Sequence, residues 1–418
     1  MSVLVFITDT YPLGGITEQA FIKPEIEPLA AAFDRVFIMP VNSGILSGIF
    51  SAFPDQSLPA NVTVSRTLLS APSAAAKAIS ILHPRAIEAL AADASHLPDL
   101  KALRHLMAFS AYVLHYRRKL ARWIKQQHIN IHDTVFYTFW FEAATAALAT
   151  IPGLKIITRA HGHDIYDFKP NFISPYWRGL SLRKIIGVRT ASKSGADYIR
   201  HKFPQYAAKI ASRFLGSPAP LASNPDANDI DAPLVLLNCS RLAEGKGVEL
   251  QIELIKEWAR RNPSRLIHWL CIGGGPLEWK IRDSTNNLPA NLTVEMTGPM
   301  NNENVHKLLS TRHIDASLLL SESEGGVPVS MAESLSYGIP IITTSVGDLS
   351  EVTLKSGGLL LSGNLTTDEF CSKMNVFIPR LPLLRSYAVE FWRQHLDATP
   401  LRESWTKELA SHIKPEQE

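Results

Sequence analysis

Cysteine is scarce in this chain of 418 residues, and the three present, Cys239, Cys271 and Cys371, stand far apart. That spacing gives neither a disulfide framework nor a set of zinc ligands, and it fits a reducing cytoplasm. Long apolar runs are missing as well: none reaches the roughly 18–20 residues of a membrane-spanning helix. Nor is there a low-complexity block that would mark disorder, and an apolar share of 46% is enough to build packed cores. The opening "MSVLVFITDTYP" has no basic leader and no small-residue cleavage site, so it reads as a β-strand and not as a signal peptide.

Acidic residues run short in one half. Residues 1–215 carry 24 Lys and Arg against 14 Asp and Glu, residues 216–418 carry 18 against 25, and the whole chain stands at +3. Most of the basic excess falls in 101–215, with 19 basic and 5 acidic residues. The imbalance points to an anionic partner for the first half, or to a solvated basic face with no partner. Within it, "KALRHLMAFSAYVLHYRRKLARWIKQQH" (101–128) has a helical pattern in which Arg117, Arg118, Lys119, Arg122 and Lys125 lie among Tyr112, Tyr116 and Trp123. Such a helix can rest on an anionic membrane surface. No recognised nucleic-acid-binding motif accompanies it, and nucleic acid is not expected as a partner.

What the chain has in quantity is alternation. "VLVFITD", "RVFIMPV", "TVFYTFW" and "KIITRAHGHD" are β-branched runs separated by helical stretches, the signature of a parallel sheet with helices on both faces. "GSPAPLASNPDANDIDAP" breaks the pattern, and its Pro, Asn, Asp and Ser content reads as a linker. The alternation then restarts with "LVLLNCSRL", "RLIHWLCIGGGP", "LTVEMTG" and "IDASLLLS". The expected organisation is α/β, with a doubly wound domain over 1–215, a linker over 216–232, a second doubly wound domain over 233–385, and C-terminal helices over 386–418 that cross back to the first domain. Ligands of such sheets bind beyond the carboxyl ends of the strands, and two facing domains would make one cleft there.

The second domain has the residues for an anionic, hydroxyl-rich ligand. In "SESEGGVPVSMAESLSYGIPIITTSVGDLSE", Pro328 suits a helix start, Gly338 its end, and Pro340 the stop beyond it. Glu324 then falls in the strand–helix loop and Glu333 in the helix, both near a helix N-terminus that attracts phosphate. Two acids there can hold sugar hydroxyls, or simply cap the helix. Arg241 and Lys246 in "NCSRLAEGKGVEL" lie in another strand–helix loop at the same sheet edge, where two cations suit a diphosphate or form ordinary surface charge. The glycines of "CIGGGPLEW" lack dinucleotide-fingerprint spacing and read as a tight turn.

Together, "SRLAEGKG", "GGGPL", "EMTG" ending in Gly298, "EGGVPVSMAE", "GIPII" and "VGDLSE" resemble, in order and spacing over about 120 residues, the retaining GT-B glycosyltransferases of glycosyltransferase family 4. In the first domain "TYPLGGITE" resembles the family's first strand–helix loop. "RAHGHDIYD" resembles the H-G-x-D segment of capsule, exopolysaccharide and lipopolysaccharide biosynthesis members. The resemblance implies a GT-B fold of two Rossmann-like doubly wound domains facing across a cleft, the first on the acceptor side. It implies that Arg241, Lys246 and Gly15 meet the donor diphosphate, that His161, Glu324, Gly325 and Gly326 meet the donor sugar, and that Glu333 holds the ribose. Gly14 and Gly15 form the donor loop, and His161, Glu324, Arg241 and Lys246 are the catalytic candidates. One departure stands out: eight residues, not the family's seven, separate Glu324 from Glu333. Gly325 and Gly326 are expected to absorb the extra residue through backbone conformations closed to other residues, with Glu322 as the substitute acid.

The resulting expectation is a retaining transferase. It moves a hexose-type sugar from a nucleotide-diphosphate sugar to a growing, lipid-linked surface polysaccharide, and works in the cytoplasm, on the inner face of the plasma membrane. No cofactor or metal is expected, because no Asp-x-Asp motif is placed to hold one and the two cations replace it. A sugar-nucleotide epimerase of the same architecture and a non-catalytic sugar-nucleotide-binding protein are the alternatives.

Overall fold

The computed structural model describes residues 1–14, 16–42, 58–93, 100–166, 176–226 and 232–413. The chain divides into two compact units, one of residues 1–213 with 402–418 and one of residues 214–401.

Seven strands of the first unit form one sheet: β1 (Val3–Thr8), β2 (Arg35–Pro40), β3 (Val62–Val64), β4 (Thr134–Thr138), β5 (Lys155–Ala160), β6 (Gly187–Thr190) and β7 (Ile210–Ser212). Their order is β3-β2-β1-β4-β5-β6-β7, and every pairing is parallel. All six residues of β1 are buried, as expected for a strand covered on both faces. Its side chains divide by period two: Val3, Val5 and Ile7 join one apolar cluster, Leu4 and Phe6 the other.

The C-terminal segment closes the second of these clusters. Trp405 and Leu409, on the helix Ala398–Ser411, pack with Phe6 and Tyr137. Glu408 on that helix bridges Arg189 at 2.5 Å and Arg213 at 2.6 Å. Beneath it lies a buried ion pair, Arg159–Glu25 at 2.8 Å, with the guanidinium 4.9 Å over the Trp405 ring.

The second unit repeats the plan with β8 (Leu234–Cys239), β9 (Ile267–Ile272), β10 (Leu292–Gly298), β11 (Ala316–Leu319), β12 (Ile341–Thr344) and β13 (Leu359–Leu361). Their order is β10-β9-β8-β11-β12-β13, again all parallel. Both sheets thus have the doubly wound order in which direction reverses beside the first strand, between β1 and β4 in one and between β8 and β11 in the other. Those two switch points are where such sheets open a crevice for ligands.

The stretch read as a linker is built into the second unit where it is described. Ser217 and Asn224 are buried, and Asn224 donates to the carbonyls of Leu309 and Arg312 while its own carbonyl side accepts from Ile314. Polar side chains that usually mark a tether here satisfy backbone groups at the C-terminal end of the helix Asn302–Thr311 and in the segment that follows it. The helix Leu381–His395 also stays with the second unit, and the chain rejoins the first at Arg402.

Candidate functional site

The loop after β8 and the loop after β11 flank the second switch point. Gly247 ends the first loop and caps the helix Val248–Arg261 with φ of 63°. A Cβ there would stand 2.0 Å from the carbonyl oxygen of Leu320, so only glycine lets the two loops close on each other. Across this contact, Lys246 Nζ and Glu324 Oε1 form an ion pair at 2.7 Å, with the Glu324 side chain 9% exposed. Ser321 donates its hydroxyl to the same carboxylate oxygen at 2.6 Å. Arg241, on the same loop as Lys246, is exposed, and its guanidinium has no partner among the described residues.

The helix Val329–Ser336 starts after Pro328, which stands at its N-cap, and ends before Gly338, whose φ is 72°. Glu333 is the fifth residue of that helix, deeper than the N-terminal position expected for it, and is buried. Its Oε1 accepts from Asn302 at 2.6 Å and lies 3.3 Å from His306 Nε2. His306 is in turn held through Nδ1 by the Tyr337 hydroxyl at 3.0 Å. Neither Asn302 nor His306 was identified from the sequence; both stand on the helix Asn302–Thr311, whose "NNENVH" start signals a cap and nothing more.

One expectation fails in this region. Neither Gly325 nor Gly326 takes positive φ, so the extra residue before Glu333 is absorbed without the left-handed backbone expected of that pair. The first choice of acid stands apart from that failure: Glu324 is the acid turned onto Lys246, and its substitute Glu322 is exposed. The glycines of "CIGGGP" lie between β9 and a turn at Pro276 and Leu277, and close packing explains two of them: a Cβ at Gly273 would meet the Ser240 carbonyl oxygen at 1.9 Å, and one at Gly275 the Leu242 carbonyl oxygen at 2.3 Å.

In the first unit, the turn after β1 is organised by Glu18, a residue the sequence reading passed over. Its buried carboxylate accepts from the backbone N–H groups of Asp9 at 2.8 Å, Thr10 at 2.6 Å and Tyr11 at 2.8 Å, and from Trp140 Nε1 at 2.9 Å. Gly14 is buried beyond this turn, and Gly15 lies outside the described residues.

His161 follows β5. Its ring lies 4.6 Å from Phe139 and 4.4 Å from Trp140, centroid to centroid, and both ring nitrogens are shielded from solvent with no partner among the described residues. Burial, with Arg159 and His163 nearby, holds its pKa well below the usual histidine value, so the ring is neutral. The backbone N–H of His161 donates to Asp164, which also accepts from the backbone N–H of Phe141 at 2.7 Å. Burial outweighs these bonds and pushes the Asp164 carboxyl up to about 6. His163 pairs with Glu142 at 3.1 Å. Burial lowers its pKa, but Glu142, Asp164 and Asp9 together raise it above the ordinary value.

The basic segment forms the helix Leu100–Gln126. Its aromatic residues do not stand among the cations at the surface: Tyr116 and Trp123 are each 6% exposed and belong to the core. Arg118, Arg122 and Lys125 are exposed, while Lys119 turns back to donate to the Thr67 carbonyl at 2.9 Å. No described helix is long and apolar enough to cross a membrane.

Comparison with known proteins bears on both units. Residues 223–378 match the family described as Glycosyl transferases group 1, a span that contains Arg241, Lys246, Glu324 and Glu333. WcaL of Escherichia coli (strain K12), a colanic acid biosynthesis glycosyltransferase by name, is 26% identical over 133 residues, or 31% of this chain and 32% of that protein. The aligned part is thus about a third of this relative's length. Among solved structures, the lipopolysaccharide outer core galactosyltransferase WaaB aligns over 98% of this chain and 99% of its own, at 14% identity and a TM-score of 0.63. Anabaena Alr3699/HepE in complex with UDP and glucose aligns over 98% of this chain and 100% of its own, at 15% identity and a TM-score of 0.62. Identities this low speak for fold: two Rossmann-like parallel-sheet domains, as in GT-B glycosyltransferases.

Proposed function

We propose that the chain is a glycosyltransferase that moves a hexose-type sugar from a nucleoside-diphosphate sugar to an acceptor, with retention of anomeric configuration. The observation that carries the reading is the Lys246–Glu324 pair at the second switch point, with the exposed Arg241 on the same loop. A diphosphate leaving with negative charge needs cations and dipoles already in place, and Arg241, Lys246 and the N-terminus of the helix Val329–Ser336 supply them. Glu324 faces the transferred sugar and the buried Glu333 the ribose. His161, neutral and with no ring partner among the described residues, has nitrogens available to a sugar hydroxyl once its aromatic neighbours shift. In this reading the positive charge comes from the protein, and no cofactor is required.

The match over 223–378 supports the donor half of the reading. A nucleotide-sugar donor is further supported by the UDP and glucose in the Alr3699/HepE complex, and a surface polysaccharide as the acceptor's class by the names of WcaL and WaaB; we propose in addition that this acceptor is lipid-linked. Such an acceptor places the enzyme at the inner face of the plasma membrane.

The test is a panel of UDP-, GDP-, ADP- and dTDP-sugars incubated with and without lipid-linked acceptor. Nucleoside diphosphate should be released only with acceptor, and the product should keep the donor's anomeric configuration by NMR. Epimerised donor without acceptor would replace this reading with an epimerase, and binding without turnover would leave a sugar-nucleotide-binding protein.

A further inference from the structure

The first unit's switch point holds a cavity of about 620 Å³ that the donor reading does not use. It opens beyond the ends of β1 and β4, where Asp9, Trp140 and Glu142 reach it, with Tyr112 and Tyr116 from the helix Leu100–Gln126 and His163 from the loop after β5. Tyr112 and Tyr116 lie 5.7 Å apart, and Trp140 lies 4.3 Å from the His163 ring, centroid to centroid. Aromatic faces beside carboxylates suit a sugar: the rings cover its C–H face and the carboxylates accept from its hydroxyls.

The charge of the wall narrows the ligand further. The lining contains Asp9, Glu142 and Asp164 but, among the described residues, no Lys or Arg. Its one imidazole, His163, is already paired with Glu142. The Asp9 carboxylate has no hydrogen-bond partner among the described residues, while its backbone is fixed through Glu18. A carboxylate held in place with its acceptor oxygens open is built to receive a donor from elsewhere. Burial, with Glu18 and Glu142 beside it, pushes the Asp9 carboxyl up to about 6, the mark of a crowded negative wall.

We infer that this cavity is a binding site for a neutral or amino-bearing sugar, held by Asp9 and Glu142 against the Trp140 and tyrosine faces, and that it excludes sugars carrying a carboxylate or phosphate. The inference rests on the glycosyltransferase reading only in naming that sugar as the acceptor's end. A like charge brought against the open Asp9 carboxylate, with Glu142 and Asp164 beside it, is repelled, and among the described residues the wall has no Lys or Arg to offset it, His163 being engaged by Glu142. The two switch points thus sort ligands by charge, with cations in the second unit for the donor's phosphates and carboxylates in the first for an uncharged sugar.

The test uses the full chain and ligand-detected NMR with methyl glycosides of glucose, galactose and mannose, their 2-amino-2-deoxy counterparts and the matching uronic acids. At least one neutral or amino glycoside should bind, and its uronic acid should bind at least tenfold more weakly. Asp9→Asn and Glu142→Gln should each weaken the neutral sugar at least fivefold and shrink the discrimination, while UDP and GDP affinities stay as in the wild type. Glu142 is half-exposed, so its variant keeps the test alive where Asp9→Asn fails to fold. Equal binding of uronic acids, no binding across the panel, or wild-type sugar affinity in the folded variants would overturn the inference. The nucleotide arm is independent: its loss in the wild type would sink the donor reading and leave the sugar site standing.

Discussion

Lys246 Nζ stands 2.7 Å from Glu324 Oε1, so the cation proposed for the donor phosphates and the acid proposed for its sugar hold each other. A diphosphate arriving at Lys246 competes with Glu324 for the same ammonium. Glu324→Gln removes that competition. It should therefore strengthen binding of the free nucleoside diphosphate and lower kcat with the full donor. Lys246→Ala and Arg241→Ala should each lower diphosphate affinity and turnover at least tenfold, about 1.4 kcal/mol. Calorimetry with nucleoside diphosphate and initial rates with donor separate the two effects. Glu324→Gln with unchanged affinity would mean that Lys246 does not change partner.

Glu333 is buried on its helix between Asn302 and His306. Glu333→Gln keeps the size and one acceptor oxygen but loses the charge, which strengthens hydrogen bonds roughly twofold. Donor KM should rise and free-nucleotide affinity should fall in parallel, because both ligands contain the ribose. Asn302→Ala should raise KM in the same direction with kcat nearly kept, since it acts through Glu333. Steady-state kinetics of the pair decide it: a kcat loss with KM unchanged would place Glu333 elsewhere in the reaction.

Much of this was legible from the chain. The strands announce themselves because parallel strands covered on both faces must be apolar throughout, as in "VLVFIT". Gly338 and Pro340 mark the end of the helix carrying Glu333 because few other residues suit those positions. Asn302 and His306 were not legible, because their role depends on meeting a helix some thirty residues further on. The burial of Tyr116 and Trp123, with Tyr112 partly buried beside them, was there to be seen: spacings of four and seven place the three on one helix face, while Arg118, Arg122 and Lys125 fall on another. Reading the segment by composition hid that separation.

Glu18 shows the other kind of illegibility, a carboxylate whose partners are backbone N–H groups and an indole 122 positions away. Glu18→Ala leaves the buried donors of Thr10 and Tyr11 and the partly buried ones of Asp9 and Trp140 without this acceptor. Each such group costs about 1–3 kcal/mol, so the first unit should lose on the order of 3 kcal/mol or more in denaturant unfolding. Tryptophan fluorescence should report the release of Trp140. A loss within 0.5 kcal/mol, the range of an ordinary surface change, would remove Glu18 from this role.

On the helix Leu100–Gln126 the cations and the aromatic residues face apart, so any hold on a membrane there is electrostatic. Arg118→Gln, Arg122→Gln and Lys125→Gln together should reduce binding to anionic vesicles by about 1 kcal/mol per residue, and raised salt should imitate the triple variant. Neutral vesicles should bind neither protein. Co-sedimentation that is unchanged by the substitutions would leave this face merely solvated.

The Asp9 carboxyl titrates near pH 6, raised by burial and by Glu18 and Glu142, with His163 opposing. The groups facing it come from four elements: Glu18 on the helix Ile16–Ala32, Glu142 after β4, His163 after β5, and Tyr116 on the helix Leu100–Gln126. Because the folded pKa lies above the unfolded one, the folded state gains stability from the proton as pH falls from about 6 to about 4, and that gain is lost as pH rises. Asp164, also raised to about 6, acts in the same sense. His163, with its raised pKa, is charged at the acid end of this range and keeps its pair with Glu142. Sugar binding has the opposite sign, because a protonated Asp9 gives up acceptor capacity. Neutral-sugar affinity should therefore fall between pH 7 and pH 5 while this part of the fold is not weakened by the same protons. Asp9→Asn should show lower affinity with a flatter profile. Parallel titrations of sugar affinity and of unfolding separate the two, and a wild-type affinity that holds level to pH 5 would take Asp9 out of the sugar site.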